Sequence, residues 1–514
     1  MSEMADSDAL AAQGLQKLGY QQELTRSRGL LHMLFMALAI MAVPFGIVAP
    51  IFTSLIGGGP VTMLWGWVLV SFLSLPTALS LAEICSKYPT SAGAYYWVFR
   101  LSSPRYRVLF SWINGWLTMV GVWTISLAVT FGSTQLLVAG ISIFKPEFAP
   151  LPWQTYLLFL AVTVVATVFG LFFNGALPTI DIMSAVWTLL GLIVIAVCLP
   201  VKSAVRHPAS YVFTHFDATG TGWAPGVSFL IGLLPPACTY VAVPMITNMA
   251  EEVHSPSVHV PAALVWSIPI GAVCGILFLL PIIFTLPDIG ILLSVPTGQP
   301  IGLMYELIMG SPGAGFAMWF IVFGTAMFCA ISICCAASRA TWSFARDKAI
   351  PFHGVFSKVN HKLGVPINAY LLSTIIQLLL GLLYLGSSTA FNAFVGVAII
   401  CLGASYAMPI LISVLNGRKD MEEAPFSLGK WGFLVNILAV LWVGLEIVIF
   451  SMPVIIPTTV ITMNYAAVIF VGFTVISSVW YLVDGRYRYT GPPLPEDISN
   501  RSPSVSSTNE KDES

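Results

Sequence analysis

FMALAIMAVPFGIVAPIFTSL, residues 35–55, and VSFLIGLLPPACTYVAVPMITNM, residues 227–249, are two long apolar stretches, each interrupted in the middle by proline. The first breaks around Pro44-Phe45-Gly46 and Pro50, the second around Pro235-Pro236 and again at Pro244. Proline removes a backbone donor and clashes with the preceding turn, so each stretch is expected to unwind there. Inside a bilayer, unwound backbone is tolerated only where it lines an enclosed cavity. Interrupted helices at matching places in two halves of a chain point to a transporter's solute site. The bland alternative is a pair of ordinary proline kinks.

Composition places the chain in a membrane. It is 57% hydrophobic and 9% charged, with a mean hydropathy of +0.87. A soluble domain carries about 25% charge. The net charge of −1 comes with no basic stripe, so nucleic acid is not an expected partner. All eight cysteines lie in apolar stretches or at their ends. They read as small buried hydrophobes, not as disulfides or metal ligands, and no cofactor or metal is expected. Residues 1–28 are polar and lack the basic-then-apolar layout of a cleaved signal peptide.

A spanning helix needs about 20 apolar residues. Twelve segments qualify: 31–56, 61–84, 107–140, 153–174, 180–200, 224–250, 262–286, 313–339, 367–386, 390–415, 432–453 and 463–483. The connection 287–312 is long enough for a short interfacial helix. Basic residues set the orientation. With both ends inside, only Lys145, Lys202 and Arg206 of the 22 Lys and Arg fall outside. The expected fold class is therefore an all-α integral membrane protein of twelve transmembrane helices. Five helices (residues 31–200) repeat with inverted topology as five more (201–415), with broken first and sixth helices. A two-helix extension (416–484) follows. Residues 1–30 form a cytoplasmic tail, and 485–514, rich in Ser and Pro, a disordered one. Asn500-Arg501-Ser502 matches a glycosylation acceptor but falls in that tail.

Three junctions on the basic side carry patterns. The first is LAEICSKYPTSAGAYYW (81–97) followed by SWINGW (111–116). The second is AEEVHSP (250–256) with Val260-Pro261, and the third is ASRATWSFARDKAIP (337–351). In this order they resemble the amino acid–polyamine–organocation (APC) transporter superfamily. GGGPVTMLWG (57–66) and APFSLG (424–429), with Asn436, are similar to its fungal amino acid/choline/GABA permease branch. The resemblance runs from about Gly29 to Asp484.

The residues have their own reading beside it. Free amides after Gly46 would face an anionic group, which the resemblance implies is a solute carboxylate. Carbonyls freed around Pro235 to Tyr240 would take an ammonium. Phe45, Tyr240 and Trp123 could wall the pocket through cation–π contact. The expected binding set is Phe45, Gly46, Ile47, Val48, Trp123, Pro236, Thr239, Tyr240 and Ala242. Glu83, Glu251 and Glu252 lie at cytoplasmic helix ends near Lys87, Arg100, Arg339 and Arg346, where opposite charges can pair and part as a gate. Topology-setting loop charge is the alternative. Glu446, mid-span in the eleventh helix, is a coupling candidate or a structural hydrogen-bonder. His32 and Asp181 read as interfacial.

One departure matters. In relatives, the sixth-span break reads Gly-x-Asp, followed four residues later by His. Here those positions are Ala242, Pro244 and Asn248, and Pro244 should lengthen the unwound stretch. A fixed anion against a cationic solute is missing. The fifth span has no lysine of the kind some proton-coupled relatives carry, and Ser332 lacks the adjacent hydroxyl of sodium-coupled relatives, so the residues favour neither ion; proton symport is what the resemblance implies.

The reading is a secondary active transporter for amino acids or related small amines, proton-coupled and working by alternating access. Choline or polyamine transport on the same fold, or a non-transporting nutrient sensor, is the alternative. No P-loop, GxSxG or metal-ligand spacing supports an enzyme. The plasma membrane is the expected location, with a vacuolar or other internal membrane as the alternative.

Overall fold

The computed structural model describes residues 2–360, 362–385, 390–459 and 463–494. Among the described residues it is all-helical, with two isolated bridges, Arg28 to Val253 and Asn360 to Val365, as its β pairing. Twelve helices there are long and apolar enough to cross a membrane. The third runs the full length of Arg107–Phe144 and packs along the tenth and eighth, while the second, Pro60–Lys87, packs along the seventh. Most of the C-terminal tail, from residue 495 onward, lies outside the described residues, as does the Asn500 acceptor.

The first span is broken, though not at its proline. Helix Leu30–Met41 stops where Ala42 turns left-handed at φ 41° and ψ 57°, and a new helix, Val43–Val48, starts at once. Left-handed geometry costs a residue with a β-carbon about 1–2 kcal/mol. Pro44 sits in the first turn of the second helix, where the missing N–H costs nothing. A third segment, Ile51–Ile56, follows Pro50.

The sixth span behaves alike. Helix Pro225–Ile231 ends at Gly232, and Pro235 and Pro236 fall in the opening turn of helix Leu234–Val241. The expected unwinding at the proline pair is thus displaced to Gly232–Leu233. Pro236 has no N–H for the Gly232 carbonyl, which instead accepts the Ser54 hydroxyl at 2.7 Å. The third proline does not lengthen an unwound stretch either. It opens a ten-residue 3₁₀ helix, Val243–Glu252, far longer than the three or four residues usual for that geometry.

The two broken spans meet where glycine allows it. A β-carbon on Gly57 would lie 2.8 Å from the Cα of Gly232, and one on Gly46 would lie 2.3 Å from Oγ1 of Thr239. The connection after the seventh span carries two short helices, Ile289–Leu293 and Ile301–Met309. Between them, Gln299 donates to the carbonyl of Ala49 at 3.0 Å, near the end of Val43–Val48.

Both ends of the described chain return to the bundle end that carries most basic residues, hereafter the basic end. Ser2–Lys17 is helical. The expectation of a disordered tail from residue 485 is corrected for its first ten residues. Tyr489 is buried, shares a 2.8 Å hydrogen bond with the Ser111 hydroxyl and packs edge-on to Trp112.

Candidate functional site

Phe45, Ile47, Val48, Thr239, Tyr240 and Ala242 are buried where the first and sixth spans cross, along with Gly46 and Pro236. The structure brings Phe45–Val48 together with Pro236–Thr239 through the Gly46–Thr239 contact. Thr239 hydrogen-bonds back to the Pro235 carbonyl at 2.8 Å, which fixes its methyl and hydroxyl against Gly46. Two aromatic candidates turn elsewhere. Tyr240 faces the second span, where its hydroxyl meets Ser71 at 2.7 Å and its ring lies 5.2 Å from Trp67. Trp123 donates to Thr341 on the eighth span at 3.0 Å and packs edge-on to Trp116, which in turn packs on Phe344.

A cavity of about 250 Å³ borders the crossing on the side away from the basic end. Phe52, Thr53, Ile231 and Leu234 line it with Asn464. On another side lies a much smaller cavity of about 30 Å³, lined by Tyr240, Pro244 and Glu446 among others.

The basic end is closed by buried ion pairs. Arg346 grips Glu251 with two nitrogens, at 2.9 and 3.0 Å. Arg339 holds Glu252 at 2.8 Å and reaches Asn174 at 2.7 Å. Arg28, 1% exposed, lies 3.7 Å from the other oxygen of Glu252 and 2.8 Å from Asp181, which also accepts the Ser332 hydroxyl. The first, fifth, sixth and eighth spans are thereby tied by one charge network. Removing one partner from a buried pair costs about 3–5 kcal/mol, because the other charge stays buried and uncompensated. Asp181 is therefore not interfacial, as the sequence suggests, but a buried network member.

Glu83 takes a different partner from those expected. Its two oxygens accept from Arg418, each at 2.7 Å, and one accepts the Leu428 amide at 2.8 Å. Lys87 reaches the Asp420 carbonyl. Both belong to the loop after the tenth span, and the APFSLG motif is the lid over Glu83.

A second layer seals the network from below. The Tyr20 ring lies 4.1 Å beneath the Arg346 guanidinium, and its hydroxyl donates to Asp347. Gln22 donates to the Glu251 carbonyl, and Arg26 to that of Val253. Burial pushes the Asp347 carboxyl up to about 6, against Arg346 and the hydroxyls of Tyr20 and Tyr95, which pull it down. Glu446 is 4% exposed and makes no hydrogen bond among the described residues. No group of His, Cys, Asp and Glu there could hold a metal.

Sequence reasoning misread Asp181 as interfacial and missed Arg28, Tyr20 and Asp347. The available signal was an acid or a base at the edge of an apolar run, which composition alone reads as interfacial.

Comparison with known proteins agrees with this architecture. A family model described as amino acid permease matches residues 29–473. The amino-acid permease BAT1 of Arabidopsis thaliana is 34% identical over 497 residues, covering 93% of this chain and 95% of that relative. The choline transporter of Saccharomyces cerevisiae is 30% identical, covering 95% of this chain and 86% of its own. Polyamine transporter TPO5 of the same yeast is 30% identical, covering 91% and 77%. With its twelve spans, two of them broken and crossing at Gly46 and Thr239, the chain belongs to the amino acid permease family of APC transporters.

Proposed function

We propose that this permease carries zwitterionic or net-neutral amino acids and related small amines, by proton-coupled alternating access, with the solute held between Pro44–Pro50 and Pro235–Pro244. One observation supports this most: the two broken spans cross at a glycine, and buried ion pairs close one side of that crossing. Closed pairs at one end and a 250 Å³ cavity at the other are what an outward-facing or occluded permease presents. Backbone groups do most of the binding. Glu251, Glu252, Arg339 and Arg346 form the inner gate. Glu83 and Lys87 anchor the loop after the tenth span.

The basic end faces the cytoplasm, and the protein resides in the plasma membrane. Basic residues that avoid translocation support the orientation. A choline or polyamine substrate is the second reading, favoured by the names of the two yeast relatives.

Uptake into proteoliposomes of labelled alanine, GABA, choline and putrescine tests the proposal. Alanine or GABA should compete better than choline and putrescine. Choline ranking first would sink the assignment, and no flux of any of the four would favour a sensor.

A further inference from the structure

Glu446, expected at mid-span, lies in the last turn of the eleventh span's helix, Gly432–Ile449, among apolar neighbours. It opens on the 30 Å³ cavity beside the sixth-span break. Thr77 from the second span and Tyr406 from the tenth line the same cavity, and the hydroxyl oxygen of each is buried without a hydrogen-bond partner. Tyr406 is 3% exposed. Ser74 adds a third hydroxyl, and Tyr240 and Pro244 close the side toward the sixth span. Three unsatisfied polar groups converging on one small void are uncommon, since buried polar atoms nearly always have partners. A void of this size has room for one or two waters, which need two to four polar contacts.

The electrostatics limit what the cavity holds. The second, sixth, seventh, tenth and eleventh spans all contribute to its wall. Tyr240 and Tyr406 are the titratable groups they bring besides Glu446, and none of the lining residues carries positive charge. A bare carboxylate at that depth is strongly disfavoured. It needs a proton of its own or a small cation beside it. The space is too small for an amino acid.

We propose that Glu446, with Thr77 and Tyr406, is the site of the coupling proton. The step is one of protonation alone. The carboxylic acid gives one proton to a cavity water and becomes a carboxylate held by the two hydroxyls; uptake reverses this. Pro244 lines the same cavity from the sixth-span break, so the acid reaches the break from the eleventh span. A protonated Glu446 leaves no fixed charge against the solute, consistent with a zwitterionic substrate. This inference rests on the transporter reading above.

Infrared difference spectroscopy on the purified full-length protein tests it without any solute. Wild type should show the carbonyl stretch of a buried carboxylic acid, and Glu446→Gln should lack it. Tyr406→Phe keeps the acid and should shift the pH at which the band disappears, which serves if the glutamine variant does not fold. An identical band in wild type and E446Q overturns the proposal. So does a wild type without the band that gains thermal stability on adding sodium. In proteoliposomes, E446Q should lower the ratio of pH-driven accumulation to counterflow of labelled GABA or alanine by about tenfold or more. An unchanged ratio also overturns it. If wild type moves neither solute, the substrate reading fails while the infrared result still decides the proton site.

Discussion

The Tyr20 hydroxyl donates a 2.7 Å hydrogen bond to the Asp347 carboxylate, 327 residues further along the chain. Tyr95 donates to the same oxygen at 2.8 Å, and Arg346 stacks on the Tyr20 ring. The N-terminal segment is thus pinned to the residues that hold the ion pairs at the basic end.

The fold should respond to pH through this group. Burial raises the Asp347 carboxyl from 3.8 to about 6 in the folded protein. The folded state therefore binds the proton more tightly than the unfolded one. The stability this group contributes is full below the unperturbed value and is lost as pH rises through about 6. Thermal stability should therefore fall between about pH 4 and 7, and Asp347→Asn should flatten that dependence. The same pH dependence in wild type and D347N would argue against this role for Asp347.

Two sets of buried charge should fail differently. Glu252→Gln leaves Arg339 uncompensated, while Arg28 keeps Asp181, at a cost of about 3–5 kcal/mol to the closed end. Cysteines introduced beneath the crossing should then react faster from the basic side. Glu83→Gln loses a similar amount from the loop after the tenth span. It should lower thermal stability with little change in that accessibility. Equal accessibility in the two variants would remove the distinction between gate and anchor.

Gly46→Val should abolish uptake while surface expression persists. A β-carbon there would lie 2.3 Å from the Thr239 hydroxyl, and overpacking of this kind costs about 1–3 kcal/mol. Thr239→Ala removes the obstructing oxygen, so the Gly46→Ala, Thr239→Ala pair should recover more uptake than Gly46→Ala alone. Failure of the pair to improve would mean that the added carbon obstructs the solute and not the sixth span.

Orientation can be checked by labelling. Single cysteines at Lys145 or Arg206 should react from outside the cell, and one at Lys358 from inside. Reaction of the Lys358 site from outside would invert the topology.

The twelve spans are legible in the sequence because each is some twenty apolar residues between polar or glycine-rich joints, and the structure moves their ends by only a few positions. The location of the breaks is less legible. Proline announces a disturbance, but Pro44, Pro235 and Pro236 all settle into first turns, where a missing N–H is harmless. The actual interruptions fall on Ala42 and Gly232, and nothing in the local sequence marks an alanine as left-handed. Partners across long separations are invisible to periodicity. Glu83 and Arg418, or Arg28 and Asp181, meet only because the bundle closes. The same holds for Glu446, whose isolation is visible as a lone acid in an apolar run but whose neighbours Thr77 and Tyr406 are not.

The 3₁₀ helix Val243–Glu252 would give the proposed gate a mechanical character. A 3₁₀ helix rises about 2.0 Å per residue and an α-helix about 1.5 Å. Rewinding ten residues to α would shorten the segment by about 5 Å and turn its far end through roughly half a revolution. Glu251 and Glu252 sit at that end, so the same motion would unscrew both carboxylates from Arg346 and Arg339. On this view the segment is a drawn spring and the two arginines its catch: solute and proton need only trip the release, while the stroke comes from backbone pitch. A spin-label distance between positions 242 and 253 that stays fixed during transport would leave the spring without a stroke.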